Sequence, residues 1–573
     1  MKASDYIMQY LHHKGVTHIY EVIGGMITHL IDSAYQHGQL KLVSTHHEQA
    51  AAFAADATGR ITGIPGVAMA TSGPGAINLL TGIGSCFFDS APGLFITGQV
   101  NLSEQRRDKR VRQLGFQETD IVSMAQAVTK AAWAVKSVEQ IPSMLEDAFR
   151  LATTGRPGPV LMDIPMDIQR MDIPDQARDI VSNSPATFEQ SSMLDKLLTA
   201  LDRSERPLIL VGGGIHAARA VPALRQFIDL VQVPVVNSLM AVDVLPYHHP
   251  LRVGLIGSYG NRWANMAIGT CDFLLVLGSR LDIRQTGADV AAFQSGREIF
   301  HVDCESGEIN NRIQGCYPVV SDLHPFLAAA IEVAQGRALK SHSDWSEHID
   351  QLREEWPDIR EPRGNLTVNP NQAMHEISAA SREAAAYVVD VGNHQMWAGQ
   401  SIETGPDQHF ITSGGMGSMG FSLPAAVGTS FALPGRTIVQ ITGDGGMQMN
   451  IQELQTVVHH KLPIKMVVFN NQSYGMVRQF QQSYFHDRFA STDWGYSAPD
   501  FSKVASAYGI RSDTVSEDSQ LRSGLEKLWE DPFEPFLLEI RVDKSVNAYP
   551  KIAFGYPITE MEPFAKPLDM EGT

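Results

Sequence analysis

A chain of 573 residues exceeds what one hydrophobic core supports, so about three domains are expected. Its 43% hydrophobic and 19% charged residues are those of an ordinary globular protein, and a formal net charge of −18 argues against nucleic acid as a partner while leaving room for a local basic patch that meets a small anion. Cys86, Cys271, Cys304 and Cys316 have the spacing of neither a disulfide framework nor a zinc site, and no stretch approaches the roughly 18 uninterrupted apolar residues of a membrane span; a soluble cytoplasmic protein without a membrane partner is expected.

From the start to about residue 175, short apolar runs alternate with helical segments. LKLVST, GVAMATSG, GLFITGQV and GPVLMDIP are predicted as buried parallel strands of a first α/β domain, 1–175. The following MDIPDQARDIVSNSPATFEQSS loses periodicity and collects Pro, Ser, Asn and Asp, which places a linker near 175–190. A second block, 190–340, has strands at PLILVGGG, VPVVNS, DFLLVLGS and EIFHVD. The polar run SHSDWSEHIDQLREEWPDIREPRGN is predicted to form a helix and a connection into a third block, 366–550, with a C-terminal tail over 551–573. AAYVVDVG, RTIVQITGDG, IKMVVFNN and PFLLEIRV are the strands there, so the fold class is α/β, with three doubly wound parallel-sheet domains.

The densest chemical signal lies in RTIVQITGDGGMQMNIQELQTVVHHKLPIKMVVFNN. A β-branched strand ends in Gly443-Asp444-Gly445-Gly446, a helix follows with Asn450 and Glu453 at capping-box spacing, and a second strand ends in Asn470-Asn471. Asp444 and Asn471, 27 residues apart, thereby fall at the carboxyl ends of parallel strands, where open α/β sheets bind ligands. A lone Gly-Asp-Gly is more often a turn. Joined to Asn-Asn at this spacing, it offers a carboxylate and an amide oxygen to Mg²⁺ and a glycine backbone that a diphosphate can approach.

This pairing resembles the diphosphate and metal motif of thiamine diphosphate (ThDP) enzymes, which implies that Asp444, the Asn471 side chain and the Ser473 carbonyl hold the metal, with Gly443, Gly445 and Gly446 at the cofactor. NNQSYGMVRQFQ, SGGMGSMGFSLPAA, VGNHQMWAGQ, HHEQAAAFAADATGR and SGPGAINLLTG are similar to the large subunit of acetolactate synthases and cover most of the first and third blocks. The resemblance implies that Val391, Asn393 and His394 help hold the diphosphate, and that Gly417 and Met419 hold the aminopyrimidine and bend the cofactor. Glu48 begins an Ala-rich helix, where close packing is expected to favour its protonated form. A glutamate at a helix start is usually only a dipole partner, but the family pattern gives this one the hydrogen bond to pyrimidine N1′. Phe116, Gln117, Lys130 and Gly25 are placed near the substrates. Two departures touch the acceptor pocket: Phe480 stands where tryptophan is expected, and Met26 where alanine is.

The middle block resembles the flavin-binding domain of the same family through Gly212-Gly213-Gly214, GSRLDIRQTG and HVDCESGEI. Gly213 would meet the nucleotide, Arg284 would lie between flavin and substrate, and Asp303 and Asp322 would meet ribose or adenine. FAD is implied without a redox role, although related ThDP enzymes keep this fold with ADP or nothing bound. Between Val100 and Phe116 the chain is longer than the acetolactate synthase pattern, and Arg106, Arg107, Lys109, Arg110 and Arg112 make NLSEQRRDKRVRQLG its densest basic run. That segment is either a solvated loop or an anion-binding lip, and it resembles branched-chain sugar (yersiniose-type) carboligases acting on nucleotide-linked keto-sugars. The expected function is decarboxylation of pyruvate or another 2-keto acid and transfer of the two-carbon unit to a carbonyl acceptor. A homodimer or homotetramer is implied, with Glu48 of one chain completing a site whose Asp444 comes from another. Acetolactate synthase, simple decarboxylase and a non-catalytic nucleotide-binding regulatory subunit are the alternatives.

Overall fold

The computed structural model describes residues 1–106, 109–173, 188 and 191–568. Three six-stranded, all-parallel sheets follow one another along the chain. The first contains β1 (His18–Val22), β2 (Lys41–Ser44), β3 (Gly66–Ala70), β4 (Gly93–Gln99), β5 (Ala131–Ala134) and β6 (Pro159–Pro165), in the order β2-β1-β3-β4-β6-β5. The second contains β7 (Pro207–Val211), β8 (Val235–Asn237), β9 (Arg252–Leu255), β10 (Phe273–Leu277), β11 (Glu298–Asp303) and β12 (Tyr317–Val320), in the order β12-β11-β10-β7-β8-β9. The third contains β13 (Ala386–Val389), β14 (His409–Thr412), β15 (Ile438–Gly443), β16 (Ile464–Asn470), β17 (Arg511–Val515) and β18 (Phe536–Arg541), in the order β14-β13-β15-β16-β18-β17.

Numbered within each domain, the first and third sheets have the same order, 2-1-3-4-6-5, while the middle sheet runs 3-2-1-4-5-6. Central strands such as GVAMA, GLFITGQ and IKMVVFN are buried at every residue, as parallel strands covered by helices on both faces must be. Each sheet accordingly has a core on either side.

The first and third domains meet through two small-residue helices, Glu48–Thr62 and Ser422–Ala432. Gly428 faces the Ala54 carbonyl so closely that a Cβ there would overlap it, and its own carbonyl accepts from Thr58 Oγ1 at 3.2 Å. The middle domain reaches past its expected end at 340: the helix Ser343–Glu355 puts Trp345, Ile349 and Leu352 into its core. Residues 551–568 are no detached tail. Lys551–Ile552 pairs antiparallel with Met561–Glu562, and Ile552, Ile558 and Met561 pack into the same core. The linker expected at 175–190 lies outside the described residues apart from Phe188, whose ring meets Phe326 at 5.6 Å. Among the described residues no helix is long and apolar enough to cross a membrane.

Candidate cofactor and active site

In the third sheet the chain leaves β13 towards β14 on one side and returns to β15 on the other, which opens a crevice at the carboxyl ends of β13 and β15. Asp390, directly after β13, is buried there and accepts the backbone N–H groups of Val391 (2.9 Å), Gly420 (2.9 Å) and Ser422 (2.8 Å). Burial raises its carboxyl above the usual range, and the amides pull the other way. One carboxylate thus fastens the turn carrying Asn393 and His394 to the loop carrying Gly417 and Met419. No motif in the sequence marks Asp390; the only signal is a carboxylate at the end of an apolar strand.

Asn393 and His394 open the helix Asn393–Ser401 and are buried, with Asn393 Oδ1 and His394 Nε2 lacking any partner among the described residues. Burial pulls His394 down to about 3, so the ring is neutral at ordinary pH. A Cβ on Gly443 would stand 2.9 Å from that ring, and one on Gly475 would stand 2.6 Å from Asn393 Nδ2 and 2.8 Å from Asn471 Nδ2. A Cβ on Gly445 would come within 3.1 Å of Met419 Cε. His394, Asn393, Asn471, Asp444 and Met419 are therefore gathered around glycines that leave no space for side chains. Asp444 is only 2% exposed, and burial pushes its carboxyl up to about 6. A hard cation would compensate that cost. The two asparagines divide their work: Asn470 is engaged by buried Glu539 (2.7 Å) and the Gln472 amide (3.1 Å), whereas Asn471 Oδ1 accepts only the nearby Ser473 N–H (3.1 Å). Among the described residues no three His, Cys, Asp or Glu form a metal-sized group. A cation here must draw on amide, carbonyl and phosphate oxygens, the donor set that Asp444, Asn471, Ser473 and a diphosphate offer together.

The capping box expected at Asn450 and Glu453 does not form. The helix Asp444–Met449 ends at Asn450, whose amide donates instead to the Gly420 carbonyl (2.7 Å) and to Gln49 Oε1 (3.2 Å). Glu453 accepts from the His46 N–H (2.9 Å) and Thr456 Oγ1 (2.6 Å). Both side chains bind across domains, next to Glu48, because partners there outcompete the local cap.

The first sheet has the same strand order and so the same kind of crevice, at the ends of β1 and β3. Glu48 accepts from Asn78 Nδ2 at 2.9 Å, and a Cβ on Gly75 would lie 3.1 Å from its Oε1. Gln117, with φ at +65°, packs its Cβ 3.0 Å from where a Cβ of Gly73 would be. Met26 N donates to Thr71 Oγ1 (3.3 Å), and its carbonyl accepts from Gln169 (2.8 Å); beside Gly25 there is open space. Glu48, Gln117, Gly25 and Met26 are thus collected at one end of the sheet. Glu48 is half-buried, so the poorly hydrated setting expected for it is incomplete in a single chain. Phe116, next to Gln117, is 80% exposed.

Lys130 is not brought to this group. It precedes β5 and so lies at the opposite end of the sheet, where its ammonium donates to the carbonyls of Thr154 (2.7 Å) and Arg156 (2.8 Å). Phe480 is on the helix Gly475–Tyr484 behind the Asn471 turn, 37% exposed, its ring 4.8 Å from that of Tyr484. In the basic segment Arg106 N donates to Glu118 (2.5 Å), and Lys109, Arg110 and Arg112 are exposed; Arg107 lies outside the described residues.

A cavity of about 820 Å³ opens where the three domains meet. In a 3-2-1-4-5-6 sheet a dinucleotide binds where the order reverses, here between β7 and β10. The cavity begins there: Gly213, Gly278, Arg284, Asp303 and Asp322 line it. Gly278 adopts φ +58°, and a Cβ on it would stand 2.8 Å from Gly214 Cα, so the two strand ends meet backbone to backbone. Asp303 is buried, which raises its carboxyl above the usual range. The far walls are Arg60 and Asp89 of the first domain and Gly414 and Gly415 of the third, so the cavity runs up to the loop that carries Gly417 and Met419.

Three family descriptions match in chain order: thiamine pyrophosphate enzyme, N-terminal TPP binding domain, over residues 1–124; the central domain over 194–330; and the C-terminal TPP binding domain over 390–540. The sequence is 36% identical over 561 residues to the acetolactate synthase isozyme 2 large subunit of Escherichia coli (strain K12), spanning 98% of this chain and 99% of that protein. It is 34% identical over 563 residues to the acetolactate synthase large subunit of Lactococcus lactis subsp. lactis (strain IL1403), spanning 98% and 96%. To the probable acetolactate synthase large subunit of Methanocaldococcus jannaschii it is 34% identical over 575 residues, spanning 98% and 95%.

Proposed function

Since the chain belongs to the acetolactate synthase large-subunit family of thiamine pyrophosphate enzymes, we propose that it is a cytoplasmic carboligase that decarboxylates pyruvate and joins the two-carbon unit to a second carbonyl compound. The observation that carries this reading is the matched pair of crevices: Asp444, Asn471, Asn393, His394 and Met419 at one, Glu48, Gln117 and Met26 at the other.

ThDP, when bound, supplies the carbanion that attacks the keto carbon and the electron sink for loss of CO₂. Asp444, the Asn471 amide oxygen and the Ser473 carbonyl would hold the Mg²⁺ that accompanies it. His394 Nε2, without a protein partner among the described residues, would meet a phosphate oxygen beside Val391 and the Gly443–Gly446 backbone, next to Asn393, whose Nδ2 donates to the Val546 carbonyl (3.4 Å). The Gly417 carbonyl and Met419 seat the aminopyrimidine, and Asp390 keeps their loop in register with the phosphate-binding turn. Glu48 holds a proton at N1′, while Gln117, Gly25 and Met26 border the substrate.

Within one chain the crevices communicate through Gln49–Asn450 and His46–Glu453, and Glu48 itself is bonded to Asn78. Apolar side chains stand exposed at both rims, among them Ile77, Phe116, Met416 and Met449. A second copy, contributing Glu48 across a dimer interface, would cover that surface and complete the desolvation of the carboxyl. The middle cavity would hold FAD as a structural ligand, with Gly213, Gly278 and Arg284 among the residues that line it. One observation favours an acceptor larger than a 2-keto acid: exposed Lys109, Arg110 and Arg112 lie just before Gln117 and can bind a phosphate-bearing sugar. Incubation of the purified protein with Mg²⁺, ThDP, labelled pyruvate and a panel of acceptors tests the proposal. Label in CO₂ and in a new carbon–carbon product is expected, with flavin carried but not consumed; free aldehyde as the sole product would overturn carboligation.

A further inference from the structure

Asp444 is gripped from outside the metal motif. Its Oδ2 accepts a hydrogen bond from Tyr496 Oη at 3.1 Å, and Gln448 Nε2 donates to the same hydroxyl at 3.3 Å. The Tyr496 ring lies 4.4 Å from that of Tyr474, which stands over Gly445. Tyr496 belongs to the irregular segment after the helix Gly475–Tyr484, and that segment is tied to the metal turn a second time. The Thr492 carbonyl accepts from Ser473 Oγ (2.8 Å) and from the Tyr474 N–H (3.1 Å).

A carboxylate with one oxygen fixed by a hydroxyl presents the other in a set direction, which is how partners outside a metal's own ligands raise its affinity. We propose that Tyr496 is a positioning residue for the metal: its hydroxyl fixes Oδ2 of Asp444 so that the remaining oxygen meets Mg²⁺, and it locks the Thr492–Tyr496 segment to the metal turn. The inference rests on the reading of Asp444 as a Mg²⁺ ligand.

The test is the Mg²⁺ dependence of ThDP binding to the full-length apoprotein, followed by intrinsic fluorescence, in the parent and in Tyr496→Phe. The variant is expected to need about 10–100-fold more Mg²⁺ for half-saturation, with the ThDP affinity at saturating Mg²⁺ and the metal-free melting temperature both close to the parent's. An unchanged Mg²⁺ requirement overturns the inference, and so does a lower one, which would mean that the phenol competes for the cation's place. Should Tyr496→Phe fail to fold, Gln448→Met, which removes the amide that orients the same hydroxyl, is expected to shift the requirement in the same direction by a smaller factor; no shift overturns the inference. A parent protein whose ThDP binding ignores Mg²⁺ overturns the metal reading as well, whereas a responsive parent and a variant with the same Mg²⁺ requirement overturn the Tyr496 assignment alone.

Discussion

Glu48 occupies the first turn of a helix that continues through a run of buried alanines, and it accepts a hydrogen bond from Asn78. Glutamine keeps its size and that bond but has no acidic proton to give to N1′ and take back. Glu48→Gln is therefore expected to bind ThDP as the parent does while losing about 10²–10⁴-fold in pyruvate decarboxylation, measured as CO₂ release. Parent-like turnover would remove Glu48 from the chemistry. Asp444, Asn471 and Glu48 could be singled out in the sequence because each lies in a motif at a strand or helix boundary. Asp390 and Tyr496 could not, since their importance comes from what they touch: backbone amides 30 and 32 residues away for one, a carboxylate 52 residues away for the other. The place of Lys130 near the substrates is what the family pattern implies, and the sequence offers no check on it: AAWA carries no strand pattern, so the end of the sheet at which its neighbour Lys130 falls cannot be read.

Most strands that the sequence leaves unmarked are edges. β5, β9, β12, β14 and β17 each close one side of a sheet, and short, half-polar runs such as RSDTV suffice there because only one neighbour must be paired. β1 is the exception, a central strand that carries a buried glutamate, Glu21, which interrupts its apolar run. Between elements, His375 joins the helix Pro370–Ala380 to the connection before it, where Nε2 meets Asp358 (2.9 Å), and to the chain after the helix Asn393–Ser401, where Nδ1 meets Glu403 (2.7 Å). Burial disfavours the charged ring, but these hydrogen bonds overcome it and raise the imidazole from 6.5 to about 9. A folded value above the unfolded one stabilises fully below pH about 6.5 and is lost as the pH rises through about 9, a change on the order of 3 kcal/mol. Denaturation midpoints are expected to fall over that window in the parent and to fall less in His375→Gln. The basic segment before Gln117 gives a second prediction at this scale. Lys109→Ala combined with Arg110→Ala should raise KM for a phosphate-bearing keto-sugar severalfold, each exposed ion pair being worth about 0.2–1 kcal/mol, and leave pyruvate decarboxylation unchanged. If a second 2-keto acid is the sole acceptor and the double variant matches the parent, the segment is a solvated loop.

For the whole molecule, an active site shared between chains has a consequence that mixing can reveal. Chains bearing Glu48→Gln or Asp444→Ala are each expected to be inactive alone, but a dimer of one with the other retains one intact site of two. Random reassembly should then restore about a quarter of parental activity, and no recovery would place both residues in the same chain's site. The three-domain division was legible because each block repeats strand and helix, whereas the return of residues 551–568 to the middle domain was not, since Ile552, Ile558 and Met561 are scattered singly through a polar stretch. The joint between the first and third domains sets a limit on motion. Where Gly428 meets the Ala54 carbonyl, main chain lies on main chain, with no long side chain between them to bend or change rotamer. Such a seam resists sliding, so the two domains of a chain travel as one rigid piece. Entry and exit of small molecules must then be timed by lighter parts, and a turnover limited by release should slow in viscous solvent according to the size of a loop rather than that of a domain.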